Sequence, residues 1–414
     1  MAWPVLGKHK QRKKFTHTKG LTMLNSSTIA TIKATVPALK VHAEDITKHF
    51  YPLLFAQHPD VVPYFNQANQ GNGTQPKALA NAVLAYGANI DELGNLSEAV
   101  SVIVQKHCSL GILPAQYDAV GSCLLQAIAT VLGDSATDEI INAWGEAYGQ
   151  LAAILIDAEE GVYASNEQIE GGWRGERAFN LVKKINESSV ITSFYFMPAD
   201  CAGVPNFKAG QFLTIVVDID GKQERRNYSL SDAPGKDYLR ISVKRELQGA
   251  VSKHLHDTLN VGDSVNLLPP CGDFVLREND KPVVLLTGGV GITPAISILN
   301  TVAGLSRNVS FIHAAINGEV HAFKNHVDQL AAMNDNVSHL YIYSDPEENC
   351  NPHATGFITQ ELVAQQLPDD RDVELYFLGP KPFMRAALKI AKNLGIPEEQ
   401  IHYEFFGPSE TLIA

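Results

Sequence analysis

The hydrophobic pattern changes its period twice along the chain. From Ser26 to about Tyr163, apolar residues recur at helical spacing with no alternating run between them. Ser26 or Ser27 is placed to cap a helix through Ile29, Ile32 and Val36. Further helices are predicted over 38–57, 76–93, 97–108, 114–131 and 137–163, and Pro114 suits a first helical turn. The polar stretch 164–173 ends in Gly171-Gly172 and reads as a linker. From Arg174 the runs become short and β-like: 190–197, 211–218, 227–231 and 239–244, with one short helix over 251–259. These predict a small antiparallel barrel. From Pro282 apolar strands (283–286, 310–315, 340–343, 374–378 and 401–405) alternate with helices (294–303, 322–332 and 382–394). That alternation predicts a doubly wound α/β sheet, with a ligand crevice at the carboxyl ends of its strands. The fold class is thus multidomain: an all-α domain over 23–163, a linker over 164–173, a β-barrel over 174–277 and an α/β domain over 278–414.

Composition narrows the functions open to such a chain. With 414 residues, 45% hydrophobic and 19% charged, it is ordinary globular protein too long for one core. The longest apolar stretch, 283–299, is broken by glycines and a proline, so no integral membrane association is expected. A net charge of −12 argues against nucleic acid as a partner. The charge is uneven, because residues 1–22 hold six Lys/Arg and no acid. This tail lacks an apolar core, reads as a disordered extension rather than a secretory signal, and leaves Met23 as an alternative start. Five cysteines are scattered with no CxxC, which offers no disulfide framework, zinc knuckle or Fe–S pattern and fits a cytoplasmic protein, monomeric or homodimeric.

Chemistry concentrates in six places. Thr287-Gly288-Gly289-Val290-Gly291-Ile292-Thr293-Pro294 follows an apolar strand and opens a helix, where backbone N–H groups approach a pyrophosphate. Leu378-Gly379-Pro380 ends another strand of the same sheet and faces the same crevice. Arg226-Asn227-Tyr228-Ser229 offers a guanidinium for a pyrophosphate, a ring for a flavin and a hydroxyl for its N5 edge. Gly249-Ala250-Val251-Ser252 begins the short helix and suits a second phosphate contact. In the helical domain His107 shares a face with Val100, Ile103 and Val104, a position that serves equally for a core histidine or a ligand. Glu159 shares a face with Tyr148, Leu151, Ala152 and Leu155, so it points inward unless it is simply a solvated helix-end acid.

The four elements Arg226–Ser229, Gly249–Ser252, Thr287–Pro294 and Leu378–Pro380, in this order, resemble the ferredoxin-NADP reductase superfamily over residue 174 to the end, a stretch that includes Tyr403-Glu404-Phe405-Phe406-Gly407. Lys106-His107-Cys108-Ser109-Leu110-Gly111, Phe50-Tyr51, Pro63-Tyr64-Phe65, Asn69-Gln70-x-Asn72-Gly73-x-Gln75 and Ala143-Trp144-Gly145 resemble a flavohaemoglobin, so the likeness spans about 23–408. The resemblance implies haem b with His107 as the proximal iron ligand, FAD, and NADH or NADPH as electron donor. It assigns Arg226, Tyr228, Ser229, Gly249, Val251, Ser252 and Phe406 to FAD, and Gly288, Gly289, Val290, Gly291, Thr293 and Pro294 to the nucleotide. Tyr117 and Glu159 would complete a proximal triad, while Tyr51 and Gln75 would face bound gas, with Leu79 and Phe65 lining the pocket. The implied reaction is NAD(P)H-dependent oxidation of NO by O2 to nitrate, in defence against nitrosative stress. A haem gas sensor or oxygen-binding globin, and a general NAD(P)H–flavin reductase, are the alternatives. Phe212, Leu378 and Phe405 depart from residues common in relatives and bear on electron-transfer rate.

Overall fold

The structure, a computed structural model, describes residues 24–65 and 74–407, and of 74–78 the backbone alone. The basic tail and the motif residues 69, 70, 72 and 73 lie outside the described residues, as does the side chain of Gln75. Among the described residues the first part of the chain is helical: α1 Ser26–Gln57, α2 Thr74–Ala88, α3 Ser97–Leu110, α4 Pro114–Leu132 and α5 Asp138–Gln168, with a 3-10 turn at Pro59–Tyr64. α1 is one helix where two were expected, and its cap is Asn25, whose side chain accepts from Thr28 N at 2.8 Å. Pro37 lies inside it, yet Ile32, Leu39, Ile46, Phe50 and Leu54 form one buried stripe on both sides of the proline. Tertiary burial along that stripe outweighs the lost hydrogen bond. α5 likewise continues five residues into the expected linker, to Gln168. The chain then turns where only glycine fits, since a Cβ on Gly172 would lie 1.9 Å from Asn166 O.

The second domain contains β1 Arg177–Asn186, β2 Ile191–Pro198, β3 Phe212–Ile219, β4 Lys222–Ser229, β5 Leu239–Lys244, the helix α6 Ala250–Asp257, and β6 Ser264–Cys271. The sheet is antiparallel in the order β4-β3-β6-β1-β2-β5, and a bridge from Leu230 to Ile241 draws its two edges together. Strands β1 and β6 carry no clear alternation in sequence. β6 ends in Pro269-Pro270-Cys271, which reads as a breaker. The structure accommodates the prolines at a register shift opposite Phe212 and Thr214, beyond the residues paired with β1.

The third domain is β7 Val283–Gly288, α7 Ile292–Val302, β8 Val309–Ala315, α8 Lys324–Met333, β9 Val337–Tyr343, β10 Ala354–Thr355, α9 Gln360–Ala364, β11 Glu374–Leu378, α10 Lys381–Asn393 and β12 Ile401–Tyr403. Its parallel sheet runs β10-β9-β8-β7-β11-β12, so the strand order reverses beside β7 and places the crevice at the ends of β7 and β11.

This domain holds two buried histidines, His313 and His321, with Thr287 Oγ1 and Tyr343 OH each 2.8 Å from an Nδ1. Burial pushes His313 well below the usual value; burial and then Lys324 lower His321 to about 3. Unfolded, both titrate near ~6.5, so the unfolded chain takes up protons first as pH falls. Stability is therefore complete above about pH 6.5 and declines below it, by ~1.4 kcal/mol per pH unit for each histidine. The urea midpoint should drop between pH 7.5 and pH 5; an unchanged midpoint would contradict this reading.

Candidate functional site

The helical domain assembles its site from α3, α4 and α5. α3 ends at Gly111, whose φ of 76° closes the helix with its N–H directed to Cys108 O and His107 O. One turn earlier, His107 Nδ1 lies 2.8 Å from Glu159 Oε1 and 2.9 Å from Tyr117 OH. The Tyr117 hydroxyl donates to the same carboxylate oxygen. Glu159 is 2% exposed, so the carboxylate expected to point inward does so. Burial, and then the hydrogen bond to Glu159, push the Tyr117 phenol upward, which keeps it a proton donor. The imidazole is a third exposed while its carboxylate is buried. It therefore hangs from the triad by Nδ1, which leaves Nε2 as the nitrogen that would meet a haem iron. That donor set fits a haem iron.

Tyr51 stands on α1 among aromatic rings, 4.8 Å from Phe50, 5.9 Å from Phe55 and 5.8 Å from Phe65 between centroids, and is buried. Phe65 and Leu79 pack half-buried on the same cluster. α2 carries Gln75 at its first turn.

Strand β4 brings Arg226, Tyr228 and Ser229 to the domain boundary. Arg226 Nη1 donates to Arg225 O at 2.7 Å and pairs with Glu224 at 2.9 Å. Burial pushes the Tyr228 phenol up, and Ser229 is 7% exposed. At the start of α6, Ser252 Oγ donates to Gly249 O and accepts from Glu246 N, both at 3.2 Å. Val251 packs into the barrel core, so only its backbone is left for a phosphate. Across the boundary Lys106 Nζ lies 4.9 Å over the Phe212 ring, and Gly272 N donates to Gln105 Oε1 at 2.9 Å. Glu404 is pushed up to about 7 by burial, against the pull of Lys106. Its neighbour Phe406 is 53% exposed.

The glycine turn after β7 divides its labour. A Cβ on Gly291 would lie 2.4 Å from Leu378 O, and one on Gly288 would lie 3.0 Å from the Phe383 ring. Gly289, with φ +53°, has open space where a phosphate can approach. Thr293 Oγ1 donates to Val290 O at 3.2 Å, and Pro294 is buried within α7. Phe383 also crowds Gly379, where a Cβ would come within 2.6 Å of the ring. The ring thus bridges the two strand ends that form the crevice. Gly379→Ala should destabilise the domain by ~1–3 kcal/mol through overpacking, and Phe383→Ala should relieve most of that. A double-mutant cycle with no coupling would contradict the contact.

Lys106, Arg225, Phe383 and Glu404 were not singled out from sequence, although two of them lie inside quoted motifs. Lys106, Arg225 and Glu404 make contacts between domains and Phe383 bridges two strand ends of one domain, and no local spacing reports either.

Fold and site together define a haem-binding globin joined to a flavin- and nicotinamide-dependent reductase. The globin family matches residues 48–155, the oxidoreductase FAD-binding domain 178–276 and the oxidoreductase NAD-binding domain 285–389. A flavohemoprotein of Pseudomonas putida is 52% identical over 94% of this chain and 100% of its own length. One from Pseudomonas aeruginosa is 49% identical over 95% and 100%. The crystal structure of flavohemoglobin from Malassezia yamatoensis, with bound FAD and heme, superposes with a TM-score of 0.82 at 28% identity, over 93% of this chain and 100% of that one. The FAD/NAD-binding domain of a nitric oxide dioxygenase from Vibrio cholerae matches 56% of this chain and 99% of its own at 36% identity, with a TM-score of 0.52. The chain belongs to the flavohemoprotein family. It is an oxidoreductase whose cofactors are haem, FAD and a nicotinamide nucleotide. Among the described residues no helix is long and apolar enough to cross a membrane.

Proposed function

We propose that this chain is an NADH-dependent nitric oxide dioxygenase, which converts NO and O2 to nitrate with electrons passed through FAD. The buried triad of His107, Glu159 and Tyr117 carries the reading. A carboxylate on Nδ1 makes the imidazole a stronger donor to iron, which favours oxygen activation over reversible oxygen carriage. Haem, when bound, supplies one-electron chemistry and a seat for O2; the chain supplies what surrounds it. Tyr51 and Gln75 would supply the hydrogen-bond donors for negative charge on bound oxygen. Leu79 and Phe65 keep the pocket apolar, which admits small uncharged gases.

On the reductase side Arg226 would hold the flavin pyrophosphate, Tyr228 would cover the ring and Ser229 would serve its N5 edge. Backbone N–H groups of Gly249, Val251 and Ser252 would hold phosphate at the start of α6, and Phe406 would lie near the flavin. The turn Gly288–Gly291, with Thr293 and Pro294 fixing the start of α7, seats the nucleotide. The flavohemoproteins and the nitric oxide dioxygenase domain described above support the nitric oxide dioxygenase reading.

NADH is favoured over NADPH by the loops after β8 and β9, at 316–320 and 344–350. They carry Glu319, Asp345, Glu347 and Glu348 and no Lys or Arg. The loops are joined, Asp345 N donating to Ile316 O at 2.9 Å and Asn317 Nδ2 to Glu347 at 3.3 Å. In this fold the adenosine end lies at that edge of the sheet, where carboxylates accept from a ribose hydroxyl and repel a 2′-phosphate. The ratio of kcat/KM values should favour NADH by about tenfold or more; equal use of NADPH would refute the preference. The activity itself is tested by NADH-dependent loss of NO with matching nitrate in air-equilibrated buffer, and absence of nitrate would reject it.

A further inference from the structure

The loop from β4 to β5 buries a carboxylate that the chemistry above does not use. Asp232 lies three residues beyond Ser229 and is 8% exposed. Within the barrel domain its Oδ2 accepts from Tyr238 OH at 2.9 Å and pairs with Arg240 at 3.3 Å. Its Oδ1 reaches the third domain, where Asn300 Nδ2 donates to it at 2.7 Å. The main chain crosses at the same point, because the buried Ser297 Oγ donates to Asp232 O at 2.6 Å. Ser297 and Asn300 are one turn apart on the same face of α7. Asn300 Oδ1 lies 2.6 Å from His326 Nε2 on α8, and the Arg240 guanidinium lies 5.3 Å over the Phe323 ring just ahead of that helix.

Domains of one chain move against each other by default, since their interfaces are small and polar. At Asp232 the joint is stronger. A hydrogen bond to a carboxylate is about twice as strong as a neutral one, and a buried carboxylate that loses its donor is costly. The joint also lies close to both cofactor seats. Asp232 is at most ~10 Å of extended chain from Ser229, the hydroxyl expected at the flavin N5 edge. Ser297 is six residues, about 9 Å of helix, from Gly291 at the end of the nucleotide turn. A tilt of α7 against this loop would therefore carry the nucleotide seat away from the flavin seat. Hydride transfer is sensitive to such a shift, because a misplacement of about 1 Å costs roughly a hundredfold in rate.

We propose that Asp232 is a positioning residue for hydride transfer. Through Ser297 and Asn300 it holds the nucleotide turn at a fixed distance from the flavin strand. Two electrons and one hydrogen pass together from NADH, which is oxidised, to the flavin, which is reduced. Asp232 touches neither and sets only how near they stand. The inference rests on the flavin and nucleotide seats proposed above, whose own failure would show in the wild type as flavin that NADH does not bleach.

The test uses full-length holoprotein mixed anaerobically with NADH, with flavin bleaching followed by stopped flow. Ser297→Ala combined with Asn300→Leu cuts both ties and leaves the seats intact. The limiting rate of flavin reduction should fall about 10- to 100-fold, while the NADH concentration for half-maximal rate stays within about threefold. NADH deuterated at both C4 positions should slow the variant at least as much as the wild type, which places the loss in hydride transfer. Hydrogen exchange supplies a readout independent of turnover. In oxidised protein without nucleotide, backbone amides of 230–233 and 292–302 should exchange about tenfold faster than in the wild type. Asn300→Leu alone should slow flavin reduction about threefold and decides the case if the double variant does not fold. An unchanged limiting rate, or a loss expressed only in the half-saturating NADH concentration, would overturn the proposal and leave Asp232 as a structural joint.

Discussion

Replacing His107 by alanine is expected to abolish nitrate formation, by about a thousandfold or more, while NADH-driven reduction of ferricyanide stays within about twofold of wild type. The split follows from the layout of the chain. His107 is held at the end of α3 by Glu159 and Tyr117, all three within the helical domain. The flavin strand β4 and the nucleotide crevice at β7 and β11 use other elements, so hydride transfer to flavin does not need the imidazole. A general flavin reductase would keep its physiological activity in this variant, and NO consumption that survives the change would point to that alternative. Steady-state rates with each acceptor, measured beside the flavin and Soret absorbances, decide between them.

The second large effect concerns Glu159. Glu159→Gln keeps the shape and an oxygen acceptor but removes the charge that polarises His107. Turnover of NO should fall about 10- to 100-fold, as for other residues that orient a metal ligand. The haem midpoint potential should rise, because a less electron-donating imidazole stabilises ferric iron less. Stability provides the control. Glu159→Gln keeps the oxygen that accepts from Tyr117, while its buried amide N–H groups need new acceptors, a cost of about 1–3 kcal/mol. The variant should therefore melt within about 10 °C of wild type and stay folded at assay temperature, which separates a functional loss from an unfolded domain. Unchanged turnover and potential would mean that the triad is only structural.

The sequence was most legible where one face of an element is buried. The parallel strands of the third domain are continuous apolar runs, and β11 appears at the bounds expected for it. The helical faces of His107 and Glu159 left their roles open, and only the family resemblance singled them out; the fold turns both faces toward one cluster. The losses have equally local causes. The proline in α1 and the paired prolines of β6 look like breakers, and only long-range packing shows otherwise. The nucleotide turn shows the same limit from another side. Its glycines read as a phosphate cradle, yet Gly288 and Gly291 are required by Phe383 and by Leu378 O, and the open position is Gly289. Arg225 was invisible as a contact between domains because its partners are Leu110, Tyr64 and Glu176, distant in sequence and contributed in part by another domain.

The central claim, that the haem domain uses electrons from the reductase to add dioxygen to NO, is tested most directly by isotope. Holoprotein with NADH is mixed with NO under 18O2, and the nitrate formed is analysed by mass. The expected result is one nitrate per NO consumed, with both atoms of one O2 molecule incorporated. Nitrate lacking the doubly labelled species, or NO consumed to nitrous oxide or nitrite alone while NADH is oxidised, would contradict the account.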